Sequence, residues 1–123
     1  LNRNRVINKQ TPVSSTRSKA MTQELYRYEF TSETPIDEVE ITLLLAILAT
    51  ESLHGETQVR LDAAHYFDAE KRACVIDAGT PVGRDFNRLF VGFITREFGA
   101  DSFRVERIHE PMPRQPQPAG ASA

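Results

Sequence analysis

The chain has 123 residues, is 40% hydrophobic and 26% charged, and carries a formal net charge of −2, the proportions of one ordinary globular domain. Its single cysteine, Cys74, excludes an intrachain disulfide, and its longest apolar run, ITLLLAILAT at 41–50, is half the roughly 20 residues a membrane helix needs. These features predict a cytoplasmic protein with no membrane contact.

In chain order, residues 1–22 come first and read as a disordered basic extension. Arg3, Arg5, Lys9, Arg17 and Lys19 occur there without an acid. The remainder carries ten Lys and Arg against seventeen Asp and Glu, a formal −7. Such a body repels phosphate backbones, so nucleic-acid binding is expected from the basic arm alone, if anywhere.

Residues 23–109 are the expected folded domain. ELYRYEF alternates, with Tyr26, Tyr28 and Phe30 on one side and Arg27 and Glu29 on the other, which is the period of a half-buried strand. A helix follows, started by Thr34-Pro35 or by the Asp37–Glu40 capping box and ended at Gly55. TQVRLDAAHYF alternates again and predicts a second strand with Val59, Leu61, Ala63 and His65 inward. A tight turn at DAEK then returns RACVIDA as a third strand with Cys74, Ile76 and Ala78 inward. In that register His65 faces Cys74, and Asp62 faces Asp77. DAGTPVGRDFNRLF contains two glycines before a helix, as a phosphate loop does. However, Pro81 removes an amide donor and no Walker lysine follows Gly83, so it reads as a capped helix start covering about 81–98. Gly99 ends that helix, and SFRVERI is the last strand. Residues 110–123, rich in proline, read as a disordered tail.

The order β-α-β-β-α-β is the pattern of the split βαβ, or ferredoxin-like, α+β plait: two helices on one face of a four-stranded antiparallel sheet. Many unrelated functions use this plait, so function has to be argued from surfaces. The open face of such a sheet collects charge, and Arg27, Arg60, Asp62, Asp77 and Arg104 form its candidate ligand site. It lacks the stacking aromatics of RNA-binding plaits. His65 beside Cys74 resembles a base and nucleophile, yet an orienting acid and an oxyanion site are missing, so core packing is the expected role. Neither His54-x-Glu56 nor His109-Glu110 has a metal-site spacing, and no cofactor motif is present.

The helices carry more apolar surface than a sheet requires. In the first, the stripe Ile41, Leu44, Leu45 and Leu48 suffices to cover the sheet, leaving Val39, Leu43, Ala46 and Ile47 as a second stripe. In the second, Val91, Ile94 and Phe98 lie beside the main stripe. The residues Val39, Leu43, Ile47, Val91, Ile94 and Phe98 are therefore the expected partner interface. The functional expectation is a non-enzymatic interaction or assembly module that forms a homodimer, or binds a protein partner, through its helices. The alternative is a small-molecule- or anion-binding plait, catalytic in its extreme form, that uses the charged face.

Overall fold

Strand β1, Leu25–Phe30, opens the fold and enters helix α1, Ile36–His54, through a turn. The structure, a computed structural model, describes residues 23–109, 111 and 112. The extension expected over 1–22 and, apart from Pro111 and Met112, the tail expected over 110–123 lie outside the described residues. After α1 come helix α2 (Glu56–Asp62), strand β2 (His65–Asp68), strand β3 (Ala73–Asp77), helix α3 (Pro81–Phe98), a 3₁₀ turn (Ala100–Ser102) and strand β4 (Phe103–Ile108). The four strands form one antiparallel sheet in the order β2-β3-β1-β4.

This corrects the expected two-helix β-α-β-β-α-β plait, because the described residues hold three helices. Most of the segment read as the second strand is α2. Period-two spacing of Val59, Leu61 and Ala63 does not exclude a short helix. Here Val59 and Ala63, four residues apart, turn inward, while Leu61 is 72% exposed. The pairs Glu56–Arg60 (2.7 Å) and Gln58–Asp62 join side chains four apart, which only a helix does. What remains of the second strand is four residues.

The hairpin register shifts with it. His65 pairs with Ile76, Phe67 with Cys74 and Asp68 with Ala73, so the turn is two residues longer than expected. Arg72 closes it at φ 54°. A shift of two keeps the side chains of the two strands on their expected faces but removes the pairing of His65 with Cys74, and Asp62, now in α2, no longer faces Asp77.

Tyr28, Phe30, Cys74 and Ile76 line the covered face of the sheet and meet Val82, Phe86, Phe90 and Ile94 of α3 in one core. Phe90 stands edge-on to Tyr28 at 5.6 Å and to Phe30 at 6.4 Å between ring centres, an arrangement that the ring quadrupoles favour. The Tyr28 hydroxyl donates to Asn87 Oδ1 at 2.5 Å, and burial pushes its pKa up. Helix α1 adds Val39, Leu43 and Ala46 to the same core.

The turn before α3 is architectural. Thr80 Oγ1 accepts from Gly83 N at 2.9 Å and donates to the Asp62 carbonyl at 2.6 Å, tying the start of α3 to the end of α2. A Cβ on Gly83 would lie 2.2 Å from the Asp77 carbonyl, so only glycine fits. The first loop is held from outside: the Arg72 guanidinium donates to the carbonyls of Phe30, Thr31 and Thr34. Thr34 does not cap α1, nor does any other side chain. Its hydroxyl instead shares a hydrogen bond with that of Thr31 and reaches the Ser102 carbonyl.

Candidate functional site

The largest disagreement with expectation concerns which stripe of α1 is buried. Val39 and Leu43 lie in the core, as does Ile94 of α3, while Ile47, Val91 and Phe98 pack partly buried against it. The expected interface is thus largely interior. The stripe assigned to the sheet faces outward instead: Ile41 is 57% exposed, Leu44 54%, Leu45 53% and Leu48 58%.

The buried side of α1 explains the choice. It consists of Val39, Thr42, Leu43, Ala46 and Thr50, mostly small side chains that let α1 approach α3 closely. The two threonines remain satisfied there because their hydroxyls donate back to the carbonyls of Glu38 (3.0 Å) and Ala46 (2.7 Å). The outward stripe is the more apolar of the two, so hydrophobicity alone ranks them in the wrong order. Side-chain size, and hydroxyls able to bond four residues back, were the available signals.

The result is a ridge of four large aliphatic side chains at the i, i+3, i+4, i+7 spacing, the pattern by which one helix packs on another. Asp37, Glu38 and Glu40 stand exposed at its N-terminal end. Arg84, Arg88 and Arg96 are exposed on α3. Among the described residues none of these six side chains takes part in an ion pair.

The expected ligand site does not assemble. Arg27 and Arg104 do share the open sheet face, but both are engaged by Glu29, the first at 3.5 Å. Hydrogen bonding from Arg104, then the charge of Arg27, holds the Glu29 carboxyl below its ordinary range. Arg60 and Asp62 lie on α2, away from that face, and Arg60 pairs with Glu56. Asp77 is a loop anchor whose Oδ1 accepts from Gly79 N (2.9 Å) and Glu24 N (3.2 Å).

A hollow of about 660 Å³ opens between α1, α2 and β2, lined by Ile47, Glu51, Val59, Arg60, His65 and Met112 among others. Burial lowers the His65 pKa, partly offset by the Ala63 carbonyl 3.3 Å from Nδ1, and its ring stands against Phe86 at 5.5 Å. Cys74 is fully buried and burial pushes its thiol up, so it supplies no nucleophile. Among the described residues no three His, Cys, Asp or Glu side chains are grouped to hold a metal ion, and no helix is long and apolar enough to cross a membrane. Neither a protein-family model, nor a curated protein, nor a solved structure matches the chain.

Proposed function

We propose that this protein is a non-enzymatic assembly module that self-associates through the outer face of α1. The observation that carries this reading is the ridge Ile41, Leu44, Leu45 and Leu48, four adjoining aliphatic side chains each more than half exposed. Scattered exposed leucines are ordinary, whereas a continuous apolar face at helical spacing is the form a docking surface takes.

The energetics favour a modest association. Burying the exposed half of one such side chain is worth about 1 kcal/mol, so eight across a dimer give roughly 8 kcal/mol before the cost of association. That cost is several kcal/mol, so the ridge alone gives a weak dimer, and micromolar affinity (about −8 kcal/mol) needs further contacts at its rim. Sedimentation equilibrium of the full chain tests the reading. The wild type is expected to shift from monomer to dimer across the micromolar range. The double variant Leu44→Glu, Leu48→Glu is expected to stay monomeric and folded. A wild type that is monomeric at high micromolar concentration would exclude self-association.

A further inference from the structure

We infer that two copies pair with their α1 helices antiparallel, and that the rim is completed by acids of one copy meeting arginines of the other, Glu38 against Arg88 first among them. This rests on the self-association reading above and specifies its geometry.

His54 Nε2 lies 2.8 Å from Asp85 Oδ2, which ties the last turn of α1 to the first turn of α3. At the other end, Pro35 and Phe98 line one hollow. The two helices therefore run antiparallel, and one turn inward from the His54–Asp85 pair Arg88 stands level with Glu51. Glu51 itself turns to the hollow beside Val59 and Arg60, leaving Arg88 exposed.

A two-fold axis through the middle of the ridge, between Leu44 and Leu45, places the partner's Ile41 over Leu48 and the partner's Leu45 over Leu44. The same operation brings the first turns of the partner's α1 to the end of this copy's α1, level with the start of α3. The partner's Glu38 then falls level with Arg88. At 100° per residue Glu38 and Glu40 point to opposite flanks of the ridge while Asp37 continues its line, so the flank beside α3 receives an acid. A parallel pairing would instead stack the three acids of one copy on the three of the other, with the arginines at the far end, and like charges so placed repel. Both sets of charges lack ion-pair partners among the described residues of a single copy. Antiparallel pairing is the arrangement that uses them, and it closes at two copies because the surface is self-complementary.

The native thiol is buried, so engineered cysteines report without interference. Three forms of the full chain, Ile41→Cys, Leu48→Cys carrying a mass tag, and their equimolar mixture, are oxidised mildly at a concentration where the wild type sediments as a dimer. A disulfide needs Cα atoms within about 7 Å. The expected result is a mixed disulfide between the two variants and little disulfide from Ile41→Cys alone, because its two copies lie about 10 Å apart along the axis at 1.5 Å per residue. Disulfide from Ile41→Cys alone, or a wild-type dimer that cross-links in neither combination, overturns the antiparallel pairing while leaving self-association standing. A monomeric wild type removes both. For the rim, Glu38→Arg and Arg88→Glu are each expected to weaken the dimer about 3- to 10-fold at low salt, and the two together on one chain to restore it. Failure of the doubly reversed chain to recover overturns the Glu38–Arg88 contact.

Discussion

Gly83 shows how a residue that looks functional in the sequence can be structural. Two glycines before a helix suggest an anion cradle, but the Gly83 amide is spent on Thr80, and its missing Cβ leaves room for the Asp77 carbonyl. The replacement Gly83→Ala is expected to destabilise the fold by about 2 kcal/mol or more, since the obstructing atom is backbone, which relaxes poorly. Urea unfolding of the variant checks this. A loss below about 0.5 kcal/mol would mean that the close approach is not there. Thr80 and Pro81 were legible as cap and first helical residue because local chemistry decides both. The grip of Arg72 on three carbonyls was not legible, because it joins segments some forty positions apart in sequence. At His65, burial favours the neutral ring, so the unfolded chain binds its proton more readily. Stability should therefore fall as pH drops below about 6.5 and level off once the folded group also titrates. Urea midpoints between pH 7.5 and 5 in wild type and His65→Phe, which keeps a ring against Phe86, should show a smaller fall in the variant.

At the scale of elements, β1, β3, α3 and β4 were readable because each has one dominant periodicity and clear end signals. The predicted span of α3, about 81–98, coincides with the observed helix, capped by Thr80 and ended by Gly99. Two elements misled for physical reasons. In α2 the inward positions Val59 and Ala63 suit both periods, and the i, i+4 pairs that select helix lie on the exposed side. In α1 two apolar stripes compete, and the winner is set by fit against α3, a tertiary property. Adjacent leucines make this testable. At concentrations where the chain is monomeric, Leu43→Ala is expected to cost about 2–5 kcal/mol, and Leu44→Ala less than about 0.5–1 kcal/mol. Equal costs would contradict the assignment of the buried face.

At the scale of the whole molecule, three features of the helix layer belong together. The core is complete without the α1 ridge, the ridge is continuous, and among the described residues the acids at the start of α1 and the arginines exposed on α3 take part in no ion pair. On the charged sheet face, by contrast, Glu29 engages both Arg27 and Arg104, so these two arginines already have an internal partner. The central claim is that a second copy covers Ile41, Leu44, Leu45 and Leu48. Isotope-filtered NMR on a mixture of methyl-labelled and unlabelled full-length chains tests this most directly. Intermolecular Overhauser contacts are expected from the methyl groups of these four residues, with Ile41 of one copy close to Leu48 of the other. Intermolecular contacts confined to Leu53, Leu61 or Val105, or none at high micromolar concentration, would contradict it.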